Sequence, residues 1–263
     1  MLQLAGYCLS VLIGFSLGLI GGGGAILAIP VLVFFFDIDP EAATTYSLFI
    51  VGITAVSGSI NHYRIRNIDY ITVFLFGIPS VIMLFVMRRY LLKQIPSIIY
   101  QQGSLVISKS LFIMIVFSIV MLIAGLLMIK KKSYAPSEER LNLSRLVSVG
   151  CITGAITGFI GIGGGFIIVP SLVLFAGLPM KKAIGTSLTI ITVNCMVGIL
   201  SNLNDAASLD YFFLVSFSAF AIAGILLGTW LIKFIPDKKL KPILGWVILA
   251  MSVLVFFRIF ARF

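Results

Sequence analysis

Residues 18–30 read GLIGGGGAILAIP, and residues 158–170 read GFIGIGGGFIIVP. Each stretch joins a cluster of glycines to a short apolar segment that leads to a proline. Four near-consecutive glycines cost an α-helix about 1 kcal/mol each relative to alanine, so an unbroken helix through either cluster is not expected. The pattern predicts a helix that ends at the glycines and a short second helix that begins just after them.

The two glycine stretches belong to an internal repeat of 140 residues. With the sequence shifted by that length, 14 of the 37 positions from 14 to 50 are identical to their counterparts, and Ser47 aligns with Ser187. Because internal repeats organise a whole fold, we divide the chain at the polar segment between the two copies. The division gives a first repeat, 1–129, a linker, 130–145, and a second repeat, 146–263.

Composition sets the class of protein. Of the 263 residues, 60% are hydrophobic and 11% are charged, against about 45–50% and about 25% in soluble domains. These fractions exclude a soluble globular protein and a disordered chain. Long uncharged runs also differ from the alternating pattern of a membrane β-barrel. The predicted fold class is an all-α polytopic membrane protein.

Runs without charged residues locate the membrane segments, since a crossing helix needs about 20 apolar residues. The weak run 94–108 is interpreted as a loop. The segments that follow the glycine clusters, 25–36 and 166–176, are too short to cross alone. Each repeat is therefore predicted as a glycine-broken helical hairpin plus three transmembrane helices, eight to ten membrane segments in total. The six single spans are 42–63, 70–87, 110–129, 183–204, 211–232 and 242–257.

The distribution of basic residues predicts the orientation, because lysine and arginine collect on the cytoplasmic side. If each glycine hairpin returns the chain to the side where it began, 13 of the 19 basic residues share one side. The other arrangement splits them 10 to 9. The first is favoured, which puts both termini outside the cytoplasm, the linker inside and the two repeats in inverted orientation. It leaves open whether the hairpins are re-entrant or cross fully.

Inverted repeats with broken helices are typical of secondary transporters that bind substrate at the membrane midplane. Short helices that start at the glycines present free N–H groups and the positive end of the helix dipole, which together bind anions. Ser47 and Ser187 are candidates to bind an oxyanion, although helix packing explains many such hydroxyls. The predicted substrate-binding residues are Gly22, Gly23, Gly24, Ala25, Ser47, Gly163, Gly164, Gly165, Phe166, Thr186 and Ser187.

Other glycines have a simpler explanation. The pairs Gly14 with Gly18 and Gly154 with Gly158 have the four-residue spacing that lets two membrane helices pack closely. We interpret these four as packing residues. Neither glycine cluster has the Gly-Lys-Ser/Thr ending of a nucleotide loop.

Charged and titratable groups are sparse in the spans. No Asp, Glu, Lys or Arg lies deep in a predicted span, which argues against a proton-relaying cation pump and fits anion movement along the membrane potential. The single histidine ends a span, where interfacial anchoring is the commoner role and pH sensing or anion attraction the alternative. The residues assigned to gating or anion attraction are Asn61, His62 and Arg64.

The cysteines form no CxxC pair and are interpreted as small apolar residues. No catalytic residue, metal site or cofactor is predicted. The expected partners are a small anionic substrate and the lipid bilayer. The net charge of +10 reflects orientation in the membrane rather than nucleic-acid binding. The cysteines are Cys8, Cys151 and Cys195.

The doubled glycine–proline stretches, followed in the second repeat by AIGTSL at 183–188, resemble the signature of the sulfite exporter TauE/SafE family. The segment HYRIRNID at 62–69 is similar to the one after the third helix in that family. The resemblance covers nearly the whole chain. The resemblance implies an inner-membrane permease that moves sulfur-containing anions such as sulfite or organosulfonates. A homodimer is one assembly that it allows.

Function is therefore expected to be secondary transport of small anions, by alternating access around a midplane site. An intramembrane thiol or redox enzyme is the alternative from another class, and a membrane assembly factor is a third. The enzyme would need a nucleophile or an acid–base pair in the membrane, and the sequence pairs none of its cysteines with His62.

Overall fold

The structure is a computed structural model that describes residues 2–91, 94–96, 98–102, 105–130, 143–160, 165–201 and 210–260. Five helices precede the linker and five follow it within these residues. Those of the first repeat are α1 Leu2–Ile20, α2 Gly23–Phe35, α3 Pro40–Arg64, α4 Tyr70–Leu91 and α5 Lys109–Lys130. Those of the second are α6 Leu143–Ile160, α7 Gly165–Phe175, α8 Met180–Ser201, α9 Tyr211–Leu231 and α10 Asp237–Phe260.

Seven of the described helices are long and apolar enough to cross a membrane. Six of them coincide with the six predicted spans, and the seventh, α6, is the helix that leads to the second glycine cluster. The predicted break is confirmed at the first cluster, where two residues separate the end of α1 at Ile20 from the start of the 13-residue α2 at Gly23. Helix α7 has 11 residues. Because about 20 residues are needed to cross, α2 and α7 are the short members of broken hairpins.

The connection between α4 and α5 is more regular than the predicted loop. It contains two antiparallel strands, β1 Ile98–Gln102 and β2 Leu105–Ser108. This short hairpin is the one sheet in the described residues, and it occurs only in the first repeat. The chain is otherwise a helical, polytopic membrane protein.

The two repeats pack against each other in a reciprocal pattern. Helix α1 of the first repeat packs on α9 of the second, and the equivalent helix α6 packs on α4. Three helices pack on their own equivalents, which gives the pairs α2 with α7, α3 with α8 and α5 with α10. Each repeat therefore completes the packing of the other.

Equivalent helices run in opposite directions where they meet. In α3 and α8, the hydroxyls of Ser59 and Thr189 share a hydrogen bond of 2.9 Å. Earlier in α3, a Cβ on Gly52 would lie 3.0 Å from Cβ of Cys195, which comes later in α8. Antiparallel contact between equivalent helices supports the prediction that the repeats are inverted, which stays a prediction for the chain in a bilayer.

Close packing of glycines explains the contact between α1 and α9. A Cβ on Gly14 would overlap the carbonyl of Ala221, and one on Gly18 would lie 2.5 Å from the carbonyl oxygen of Ile225. The equivalent Gly154 has the same relation to Ser80 in α4. The interpretation of these glycines as packing residues is confirmed.

Burial separates a central group of helices from a peripheral one. Helices α3 and α8 are the most buried of the spanning helices, with 61% of the apolar stretch covered in each against 28% in α4. Peripheral helices expose large apolar side chains, including Phe212, Trp230, Trp246 and Phe257. Exposed apolar surface of this extent is suited to lipid. The centre of the molecule therefore consists of α2, α3, α7 and α8.

Candidate functional site: two helix N-termini at the centre

The first glycine turn needs glycine for its backbone. Gly21 has φ +74°, in the left-handed region, and its N–H donates to the carbonyl of Leu17 at 2.7 Å, which ends α1. A Cβ on Gly21 would also lie 2.8 Å from Cα of Ile184 in α8. The chain therefore reverses here with no room for a side chain.

The N-termini of α2 and α7 touch at the centre of the molecule. Gly22 precedes α2, Gly165 is the first residue of α7, and a Cβ on Gly22 would overlap the Gly165 carbonyl. The same atom would lie 2.9 Å from the backbone nitrogen of Phe166. The two short helices therefore begin at the same buried place in the described residues.

This contact has an electrostatic consequence. A helix N-terminus carries about +0.5 of an elementary charge, and here two such ends meet in a buried place. Like partial charges repel, so a negative charge near the junction would be favoured by both helices. One of the proposed donors is already engaged, since the N–H of Ala25 donates to the carbonyl of Gly22 at 3.2 Å.

The two serines are both buried, one in α3 and one in α8. The Ser187 hydroxyl lies 2.9 Å from the carbonyl oxygen of Gly21 and 2.8 Å from that of Ile184. The Ser47 hydroxyl donates to the carbonyl of Thr44 at 2.8 Å. A hydroxyl has a single proton to donate, so Ser187 can donate to an anion only when neither the Gly21 nor the Ile184 carbonyl takes that proton.

Thr186 faces a different neighbour. Its hydroxyl accepts a hydrogen bond of 3.0 Å from the backbone N–H of Asp69, in the segment between α3 and α4. The Asp69 carboxylate in turn accepts from the hydroxyl of Thr72. Thr186 therefore ties this connecting segment to the start of α8 rather than pointing at the glycine turn.

Burial around the junction is complete. Gly22, Gly24, Gly165, Ala25, Phe166, Ser47, Thr186 and Ser187 are all buried. These residues are therefore closed to solvent in the structure, so an ion reaches the described helix ends only if the packing around them opens. Gly23 is the first residue of α2, whereas Gly163 and Gly164 lie outside the described residues.

The residues assigned to gating lie together at one end of the α3–α8 contact. Asn61 donates from its amide to the hydroxyl of Thr229 at 2.7 Å. His62 is fully buried, and a Cβ on Gly185 would lie 2.9 Å from its Nδ1. Arg64 is exposed at the end of α3. Asn61 and His62 therefore contact other helices, whereas Arg64 is an exposed cation.

An interfacial anchoring role for His62 is wrong, because its ring is inside the protein. Neither Nδ1 nor Nε2 has a hydrogen-bond partner among the described residues. A buried polar group without a partner costs about 1–3 kcal/mol, and such groups in native structures have a reason to be kept. His62 is therefore a stronger functional candidate than its place in the sequence indicates.

Arg88 is a buried cation that the sequence analysis missed. The predicted span stopped at residue 87, but α4 continues to Leu91 and the Arg88 side chain is only 3% exposed. The prediction that no charged residue lies deep in a predicted span still holds, since Arg88 is one residue beyond the predicted end, but it did not anticipate a buried cation there. A four-residue periodicity was the available signal. The buried residues Thr72, Phe76, Ser80, Leu84 and Arg88 follow one another at that spacing.

The three cysteines lie on three different helices. Cys8, Cys151 and Cys195 are free and lie in α1, α6 and α8. Within the part of the chain that the structure describes, no group of three or more His, Cys, Asp or Glu side chains is placed to hold a metal ion.

Comparison with known proteins agrees with this architecture. The family model for the sulfite exporter TauE/SafE family matches residues 7–255. A probable membrane transporter protein of Xylella fastidiosa is 31% identical over 260 residues, which cover 95% of this chain and 93% of that protein.

More distant relatives carry similar names. A probable membrane transporter protein of Methanocaldococcus jannaschii is 27% identical over 83% of this chain and 80% of its own length. The protein YdhB of Bacillus subtilis, also named a probable membrane transporter, is 26% identical over 88% of this chain and 90% of its own. No solved structure matches the chain significantly. Family and relatives are named as transporters rather than enzymes, and the chain belongs to the sulfite exporter TauE/SafE family of multi-pass membrane transporters.

Proposed function

We propose that this transporter moves small oxyanions of sulfur, such as sulfite or organosulfonates, by alternating access around the junction of α2 and α7. The observation that carries the proposal is the buried contact between Gly22 and Gly165, which brings two helix N-termini together. Two positive dipole ends at one place suit an anion and disfavour a cation. The name of the family indicates that the anion contains sulfur.

The anion binds to N–H groups at the starts of the two short helices. Those groups belong to Gly22, Gly23 and Gly24 in the first repeat and to Gly163, Gly164, Gly165 and Phe166 in the second. Ser47 and Ser187 add hydroxyl donors from α3 and α8. Because Ser187 now lies 2.9 Å from the Gly21 carbonyl, binding requires the first turn to move away from α8. The hydroxyl must also turn away from the Ile184 carbonyl, after which its proton is free for the anion.

Alternating access follows from the way the repeats interlock. Each repeat contributes its first helix to the other, and α3 and α8 run antiparallel through the centre. Rocking of one repeat against the other opens the junction first to one side and then to the opposite side. Asn61, His62 and Arg64 lie at one end of this path, the cytoplasmic end in the orientation that the basic residues favour.

Orientation in the inner membrane is part of the same proposal, with both termini outside the cytoplasm. The charge split of 13 to 6 among the basic residues supports it. Single cysteines at exposed positions of a cysteine-free variant, labelled in intact cells by a membrane-impermeant maleimide, test it. Labelling at Tyr211 but not at Phe234 is expected, since these exposed residues begin and follow the α9 span. The reverse pattern contradicts the orientation.

The transport proposal is tested by anion flux into proteoliposomes, with the potential clamped by potassium and valinomycin. Sulfite, sulfoacetate, taurine and sulfate are compared. Flux that follows the potential, prefers one sulfur oxyanion and disappears in Gly165→Leu is expected.

The control variant is Gly77→Ala, in α4, where a Cβ would make an ordinary contact of 3.4 Å. It is expected to keep wild-type flux. Absence of flux for every anion, in wild-type protein that is monodisperse and folded, contradicts the proposal.

A further inference from the structure

Arg88 lies where the fold departs from a regular α-helix. The last five residues of α4, Met87–Leu91, form a π-helical turn. Such turns are rare and occur often at functional sites. Here the wider turn separates Arg88, which is buried, from its neighbours Arg89 and Tyr90, which are exposed. Two adjacent arginines therefore have opposite environments.

The guanidinium of Arg88 reaches the central pair of helices. Its Nη1 lies 3.5 Å from the carbonyl oxygen of Gly198 in α8. A Cβ on Gly198 would lie 3.8 Å from the same nitrogen and 3.2 Å from a methyl group of Leu48, the residue after Ser47 in α3. Glycine at 198 thus lets Leu48 of α3 pack closely on α8, and the guanidinium lies beside this contact.

The internal repeat also relates the position of Arg88 to the polar residues at the other end of the α3–α8 contact. A shift of 141 residues, which aligns Tyr70 with Tyr211 at the starts of α4 and α9, aligns Arg88 with Thr229. Thr229 accepts a hydrogen bond from Asn61, beside His62. The two equivalent positions therefore lie at opposite ends of the α3–α8 contact, with a neutral hydroxyl at one end and a guanidinium at the other.

Burial of a cation inside a membrane protein is costly, and such residues usually mark the path of an ion or substrate. We propose that Arg88 is an anion-binding residue at the end of the α3–α8 contact opposite His62, and that it pairs two oxygens of an oxyanion before or after the anion reaches the central junction. This rests on the proposed function.

The guanidinium also defines the ligand. It is a planar fork of N–H donors that matches two oxygens of one group, whereas an ammonium is a single point of charge. The site is therefore expected to favour sulfite and sulfonates over spherical halides. The substrate class is an oxyanion with at least two oxygens on one atom.

The experiment compares Arg88→Gln, Arg88→Lys and Arg89→Gln in proteoliposome flux and in sulfite binding to purified protein. Arg88→Gln is expected to raise KM and Kd for sulfite at least tenfold, with Vmax within threefold of wild type. Its preference for sulfite over bromide is expected to be lost. Arg88→Lys keeps the charge without the fork and should raise KM several-fold. Arg89→Gln, an exposed neighbour, should match wild type.

The same preparations separate binding from folding. An unliganded melting temperature that falls in Arg88→Gln while KM and anion preference stay at wild-type values would overturn the inference, because that is the result of a structural role. If Arg88→Gln does not fold, the KM and the anion preference of Arg88→Lys decide the question instead. If Gly165→Leu abolishes flux but both Arg88 variants keep the wild-type KM, Arg88 is excluded as a binding residue and the proposed function still stands. Absence of any wild-type flux removes the proposed function as well.

Discussion

Gly22 and Gly165 lie backbone against backbone, with no room for a methyl group between the two helix ends. In Gly22→Ala the added methyl would overlap the Gly165 carbonyl, so the turns must separate. Overpacking of this kind costs about 1–3 kcal/mol. We expect a lower melting temperature in detergent and a reduction of anion flux by at least tenfold, since the closed conformation is the one that is lost.

A matched helical glycine serves as the control for this variant. Gly77→Ala adds the same methyl at a 3.4 Å contact with Ile190 and should change neither the melting temperature nor the flux. Wild-type flux in Gly22→Ala would show that the closed contact between the two turns is not a step of transport.

Ser187→Ala tests whether the hydroxyl at the first turn handles substrate. The variant loses a hydrogen bond to the Gly21 carbonyl, worth about 1 kcal/mol, and loses a donor for the anion. A rise of KM by about three- to tenfold is expected in the flux assay. Ser148→Ala removes an exposed local bond to Ser144 and should leave KM unchanged. Equal KM values in the two variants would exclude Ser187 from the site.

His62→Leu is expected to separate stability from function. Replacement of a buried, unpartnered imidazole by an apolar side chain removes a desolvation cost of about 1–3 kcal/mol. The melting temperature should therefore stay equal or rise, while flux falls at least tenfold. Tyr63→Leu changes the exposed neighbour and should alter neither quantity. A His62→Leu protein that is stabilised and fully active would show that the ring has no part in transport.

The contact between α5 and α10 offers a purely structural test. The Ser118 hydroxyl donates to the Ser252 carbonyl at 3.1 Å, and the Ser252 hydroxyl donates to the Ser118 carbonyl at 2.9 Å. Each alanine substitution should cost about 0.6 kcal/mol. Because the two residues are in direct contact through this pair of bonds, the two costs should couple by at least about 0.5 kcal/mol. Strict additivity in the double-mutant cycle, measured by thermal unfolding, contradicts this.

Much of the fold was predictable because membranes simplify the physical rules. A charge-free run of span length leaves a helix as its main option, so six of the spans follow from counting. The glycine cluster at 21–24 predicts the break of the first hairpin, since the turn at Gly21 needs a positive φ. The packing of α1 and α6 on helices of the opposite repeat was not predictable. A glycine face shows that another helix packs closely on it, but does not indicate which one.

The central site was predictable in outline and incomplete in detail. The repeat placed Ser47 and Ser187 at equivalent positions, and the structure buries both of them, in α3 and α8 of the central group. His62 and Arg88 were misjudged for one reason. Both lie at the ends of spans, where sequence cannot distinguish a charge that faces the interface from one that turns into the protein.

The pairing of α1 with α9 has a consequence for biosynthesis. Ser10 donates to the carbonyl of Phe217, 207 residues later in the chain. At about 5–20 residues per second, α1 leaves the ribosome roughly 10–40 s before the helix that covers its glycine face. During that interval Gly14 and Gly18 face lipid or the insertion machinery, so α1 stays without its partner while most of both repeats is synthesised.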